Sequence, residues 1–185
     1  MRILFAGATG VLGRATLPHL DRHDVVGLTR SREKLQLLRH LGAEAVLCDV
    51  YDYPALVRLA ERVRPAIVVN FLTDLAAGSV VANNRVRREG GTNLLNAAKA
   101  TDAARLVVES VAFALEGEAA QALEQLERST RQFPRDALIL RFGRFWGPGT
   151  AYQAPPQPPS IHIEKAAAEA ARLLAQAASG TYIVT

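Results

Sequence analysis

The sequence predicts an α/β protein: a doubly wound parallel sheet of about seven strands with helices on both faces. Three observations carry that expectation. Strand-like apolar runs alternate with helical stretches along the chain, the order that a parallel sheet with crossover helices requires. Runs such as AIVVNFL, residues 66–72, are apolar throughout, as strands buried on both sides are. The first strand also ends in a glycine triplet, Gly7, Gly10 and Gly13, at a strand-to-helix junction.

The elements follow in order. Residues 3–6 form a first strand and residues 10–20 a helix. DVVGLT, 24–29, is a second strand, and SREKLQLLRHLG a helix that stops at Gly42, a residue free to take the left-handed conformation of a helix end. AEAVLCDV, 43–50, is a third strand. The next helix, 54–64, has Pro54 in its first turn, where the missing N–H costs nothing. AIVVNFL is strand four, followed by a long helix over 82–99. RLVVES is strand five, EAAQALEQLERST a helix and DALILRF strand six. An alanine-rich helix over 163–177 precedes a last strand, TYIVT. Four prolines in QAPPQPPS, 153–160, preclude a helix there and mark a surface loop. No repeat or linker divides the chain, so residues 1–185 are read as a single domain.

Composition narrows the function classes. A chain of 185 residues, 49% hydrophobic and 22% charged, has the profile of a soluble domain with a sizeable core. Its net charge of +4 is small and spread out; it helps attract a phosphorylated ligand but does not argue for nucleic acid. Cys48 is the only cysteine, so there is no internal disulfide and no cysteine metal cluster. Cys48 ends an apolar run and reads as a buried, inert thiol. No apolar run reaches membrane-spanning length. The apolar start is interrupted at once by glycines, unlike a signal peptide, and the expected location is the cytoplasm.

The glycine spacing has a physical reading. Gly7 takes a tight turn, Gly10 keeps side-chain atoms away from a pyrophosphate, and Gly13 lets the helix pack closely on the sheet. With Thr9, Val11 and Leu12 they form a candidate dinucleotide cradle in which free N–H groups at the helix start face the phosphates. The alternative is a structural glycine turn in a flavodoxin-like domain. Strand two ends in Thr29, Arg30, Ser31 and Arg32. An acidic residue at that place would hold a ribose 2′-hydroxyl; a guanidinium at Arg30, with Ser31 as a second donor, suits a 2′-phosphate. NADP is therefore favoured over NAD, which stays open.

On these residues the chain resembles the extended and atypical branches of the short-chain dehydrogenase/reductase superfamily, the NAD(P)-dependent epimerase/dehydratase-like proteins with a Rossmann-type fold. GATGVLGR resembles their glycine motif. CDVYD, 48–52, resembles their segment after strand three, which implies that Asp49 holds the adenine amino group and Val50 flanks the ring. VVNFLTD, 68–74, implies that Phe71, Leu72 and Thr73 line the cofactor ribose. GTNLLNAAKA resembles the following helix. LVVESV places Ser110 at the position of the family's catalytic serine. LILRFGRFWGPGT implies that Phe142 and Gly143 approach the nicotinamide, and residues 161–184 resemble the last helix and strand. RVRRE, 85–89, reads most simply as a solvated helix face; the alternative that the resemblance implies is a homodimer paired through this helix and the next one.

Two departures stand beside these matches. The family's active tyrosine and lysine lie four residues apart on one helix face, where the ammonium depresses the phenol pKa. Here the tyrosines are at 51, 53, 152 and 182 and the lysines at 34, 99 and 165, so no such pair exists. The family's substrate-binding segment after GPG is also reduced to ten residues between Thr150 and Ile161. Ser110 remains the candidate catalytic or substrate-binding residue. His162 reads as structural, and Phe142, Phe145 and Trp146 as packing near the pocket mouth. Glu109 points away from Ser110 by strand alternation. Two readings follow. One is an atypical NADP-dependent oxidoreductase acting on a small molecule in a reduced pocket. The other is a non-catalytic dinucleotide-sensing or regulatory protein.

Overall fold

In the computed structural model the described residues are 1–74 and 79–185. Seven strands form one sheet: β1 (Arg2–Ala6), β2 (Asp24–Thr29), β3 (Glu44–Leu47), β4 (Ile67–Asn70), β5 (Arg105–Val111), β6 (Asp136–Phe142) and β9 (Gly180–Val184). Their order is β3-β2-β1-β4-β5-β6-β9, and every pairing is parallel. The winding reverses between β1 and β4. In sheets of this kind the crevice beyond the carboxyl ends at the reversal is where ligands bind.

Side-chain alternation sends the central strands into two cores. Ile3, Phe5, Val69 and Leu140 face α1 (Val11–Thr16, continued by a 3-10 turn over Leu17–Leu20), α2 (Leu35–His40) and α7 (Ile163–Gln176). Leu4, Ala6, Val68 and Val108 face α3 (Tyr53–Val63), α5 (Gly91–Ala100) and α6 (Gly117–Arg131). Burial on both sides explains why these strands read as unbroken apolar runs. In α7, Ala166, Ala167 and Ala170 are fully buried, and their small side chains let the helix lie close to the sheet.

Helix ends follow their local chemistry. Gly42 ends α2 at φ +85°. Asp52 caps α3 by accepting the Ala55 N–H at 3.0 Å. Asp52→Ala leaves that N–H without its partner and should cost about 1 kcal/mol, read as a lower urea midpoint at unchanged slope.

Several boundaries differ from expectation. The third strand stops at Leu47 instead of residue 50, because Asp49 folds back to accept the Tyr51 N–H at 3.0 Å. Strand four stops at Asn70, whose side chain accepts the Leu72 N–H at 3.2 Å. The helix expected over 82–99 begins earlier and is broken. α4 (Val80–Arg85) is capped by Ser79, and a π-helical turn over Val86–Gly90 separates it from α5. The proline-rich loop is a loop as far as Pro159, but Ser160 opens β8 (Ser160–His162), which pairs in parallel with β7 (Arg144–Trp146). Segments this short carry no readable periodicity. No helix among the described residues is long and apolar enough to cross a membrane.

Candidate functional site

The glycine turn is built as its spacing requires. Gly7 adopts φ +89°, and a Cβ there would stand 2.1 Å from the Phe71 carbonyl oxygen. A Cβ on Gly13 would stand 2.2 Å from the Gly7 carbonyl oxygen and 2.7 Å from the Ala8 Cα. Gly10 is exposed, caps α1 in extended conformation, and donates its N–H to the Gly7 carbonyl at 2.9 Å. Main chain therefore packs against main chain from β1 across to β4. The first N–H groups of α1 open outward beside a glycine that blocks nothing, so the cradle fits a diphosphate group. Arg14, which the sequence reading passed over, places its Nε 3.4 Å from the Gly10 carbonyl. Its position directly after Gly13 was the available signal.

At the β2–β3 side, Arg30 is exposed and donates to the Asp74 carboxylate at 3.0 Å. Ser31 donates its N–H to the Thr29 hydroxyl at 3.1 Å. Asp49 turns one oxygen to the Tyr51 N–H, and Val50 is held from above by Asn93, which donates to its carbonyl at 2.8 Å. Gly90 in the π-turn is what allows that closeness, since a Cβ there would come within 3.2 Å of the Val50 side chain. Sequence reasoning missed Arg85. Its guanidinium stacks 4.1 Å over the Tyr51 ring while Glu89 holds its Nε at 2.9 Å. Burial raises the Tyr51 phenol, and the charges of Arg85 and Arg30 oppose it. Both guanidiniums thus act on the same edge of the crevice. RVRRE had been read as a solvated face, and only the fold brings it beside Tyr51.

Phe71, just past β4, and Phe142, the last residue of β6, are buried side chains. Phe5, Phe71, Phe142 and Phe145 form a row with ring centroids 5.3, 6.4 and 5.4 Å apart. What Phe71 and Phe142 offer a ligand is therefore backbone, whereas Leu72 is half-buried and Thr73 exposed. The space beside the Gly143 Cα is occupied: a Cβ would meet Pro159 and Ser160 backbone at 2.8 Å. That glycine serves the loop packed against it. His162 accepts the Glu164 N–H through Nδ1 and meets Trp146 edge-on at 4.5 Å, a structural arrangement.

Ser110 lies at the carboxyl end of β5, buried, on the α6 side. Its hydroxyl donates to the Glu127 carboxylate at 2.6 Å. Glu127 also receives Arg131 at 2.6 Å and the Nε and a terminal nitrogen of Arg141 at 2.8 and 2.5 Å. Burial pushes the Glu127 carboxyl up. The hydrogen bonds from Arg141 and Ser110, the Arg141 charge and the bond from Arg131 outweigh it, so the net direction is down. Glu127 is thus a fixed anion. On the opposite face of β5, burial pushes the Glu109 carboxyl up to about 8, with the Arg87 charge opposing. α6, the helix that would carry the family's tyrosine and lysine, contains neither. Beside it opens a cavity of about 410 Å3 whose walls include Val111, Phe113, Leu123, Glu127, Arg131 and Arg141. No group of metal-ligating side chains occurs among the described residues. Cys48 is buried, and burial, with Asp52 and Asp49, raises its thiol.

The fold and the glycine turn are those of a Rossmann-type dinucleotide-binding domain. Residues 7–139 match the family described as NAD(P)H-binding, and the chain belongs to that family. A curated relative from Streptomyces sp., 3-diazoavenalumate denitrifying reductase, is 31% identical over 182 positions, covering 82% of this chain. The chain spans 59% of that relative's length. Among solved structures, the Bordetella bronchiseptica enzyme WbmG in complex with NAD superposes with a TM-score of 0.80 at 19% identity, over 100% of this chain and 72% of that one. The UDP-Glc/GlcNAc 4-epimerase of Campylobacter jejuni gives 0.81 at 16%, over 99% and 78%. At such identities the likeness is one of fold.

Proposed function

We propose that this chain binds NADP and acts as an atypical reductase, transferring hydride to a small molecule without the family's tyrosine–lysine pair. The observation that carries the reading is the main-chain cradle of Gly7, Gly10 and Gly13, with Arg30 rather than a carboxylate at the end of β2. In this reading the α1 N–H groups of Val11, Leu12 and Gly13 receive the diphosphate, with Thr9 beside them. Arg30 and Ser31 receive the 2′-phosphate, Arg30 exchanging Asp74 for it. Asp49 and Val50 hold the adenine, the backbone of Phe71 and Phe142 with Leu72 and Thr73 borders the ribose and nicotinamide, and the cavity beside α6 takes the substrate. NADPH, when bound, supplies the hydride. The chain's part is to hold the partners together with little water between them, which alone lowers the barrier by several kcal/mol. The name of the Streptomyces relative supports the reductase class.

Fluorescence titration tests the cofactor. Arg30→Ala should weaken NADPH about tenfold or more and leave NADH nearly unchanged, the loss of a charge-assisted contact. Equal losses for both would reject the 2′-phosphate assignment. A second reading, a non-catalytic dinucleotide sensor, is favoured by one observation: the Ser110 hydroxyl is committed to Glu127 and α6 offers no other proton donor of the family's type. NADPH oxidation with aldehydes, quinones and nucleotide sugars separates the two, since inactivity across all classes selects the sensor.

A further inference from the structure

We infer that the cavity between α6 and the carboxyl ends of β5, β6 and β9 is a binding site for a small, largely apolar molecule carrying one carboxylate, received by Arg131 and Arg141. As the substrate site, it rests on the reductase reading; as a binding site, it does not.

The volume of about 410 Å3 lies in the range of small-molecule sites. Val111, Phe113, Leu115, Leu123 and Ile183 give apolar walls. Ile183 is left 69% exposed there. The Arg144 guanidinium lies over the Phe113 ring, 4.2 Å from its centre. The polar end is not self-neutralised. Two guanidiniums share one buried carboxylate, and both Glu127 oxygens are already taken by Ser110, Arg131 and Arg141. A carboxylate has about four acceptor places, whereas each guanidinium has five donors. Arg131 spends one nitrogen on Glu127 and Arg141 two, so donors and one positive charge are left over at the cavity. A ligand must therefore bring acceptors and negative charge; a cation would meet the surplus charge. Glu124 stands on the rim but is exposed, where solvent screens it.

The probe is 2-naphthoate, with 2-naphthamide as its neutral isostere, followed by ligand-observed NMR and calorimetry with and without saturating NADPH. Naphthoate should bind more tightly than the amide, and more weakly as salt rises. Arg131→Gln, at a half-exposed position that leaves the Arg141–Glu127 pair intact, should weaken naphthoate about tenfold, leave the amide unchanged and leave NADPH affinity unchanged. Arg131→Lys should recover part of the loss. Leu123→Trp, which fills the cavity, should remove binding of both probes. Equal binding of acid and amide, no naphthoate binding at millimolar concentration, or an Arg131→Gln protein that binds as before would each overturn the assignment. Naphthoate binding without any NADPH binding would leave this site standing and sink the reductase reading; the reverse result would sink only this site.

Discussion

Gly13→Val should remove NADPH binding and lower stability by roughly 3 kcal/mol or more. The new side chain has nowhere to go: the first atom would lie 2.2 Å from the Gly7 carbonyl oxygen and under 3 Å from two Ala8 backbone atoms. No rotamer relieves a clash at Cβ, and backbone neighbours do not swing aside as a flexible side chain would. Relief must come from lifting α1 off the turn, which separates it from α7 and opens the core beneath Leu12 and Leu17. Gly10→Ala is the comparison. Its nearest neighbour would be the Gly7 carbonyl oxygen at 3.2 Å, so the fold should survive with a far smaller loss while the added methyl narrows the cradle. Melting curves and NADPH titrations on the two variants separate the roles. A Gly13→Val protein that melts normally would contradict the close approach of α1 to β1, and an unimpaired Gly10→Ala protein would contradict the cradle.

Glu109→Gln should stabilise the protein at alkaline pH. The carboxyl of Glu109 ordinarily titrates near 4.5, and in the folded chain burial lifts it to about 8. Between those values the folded state holds a proton that the unfolded state has released. Folded stability therefore falls as pH rises through this window, by up to about 5 kcal/mol in the limit of the full shift. Glutamine keeps the shape and has no charge to bury. The variant and the parent should melt alike near pH 4.5 and diverge steadily towards pH 8.5, the variant melting higher. Parallel curves would mean that Glu109 is ionised at neutral pH and paired with Arg87.

The central strands were legible because they are buried on both faces, and the edge strands β3 and β9, though partly exposed, are apolar enough to be counted with them. The glycine turn was legible because glycine at a strand-to-helix junction has a steric reason visible in spacing alone. What escaped the sequence depends on contacts between distant segments. Arg85 reaches Tyr51, and Arg30 reaches Asp74, across 34 and 44 positions of chain. Ser110 was singled out by the family resemblance of LVVESV, but only the α6 register shows its hydroxyl bound to Glu127. Phe142 closes β6 as expected, whereas Phe71 lies just past the end of β4 and Gly143 just past β6. Their side-chain surroundings, core for the first two and the Pro159 backbone for the third, follow from packing that no periodicity encodes.

The π-turn at Val86–Gly90 carries one residue more than an ordinary helical turn would. Deleting a single residue there would restore an ordinary turn, because the wide turn is what absorbs the extra residue, and the stretches on either side would keep their relative rotation. Arg85 would keep its place over Tyr51, and the Leu94–Ala98 stretch its place against the sheet. The wide turn is thus a point where the chain can gain or lose one residue without turning either flank, which a deletion inside α5 would not allow.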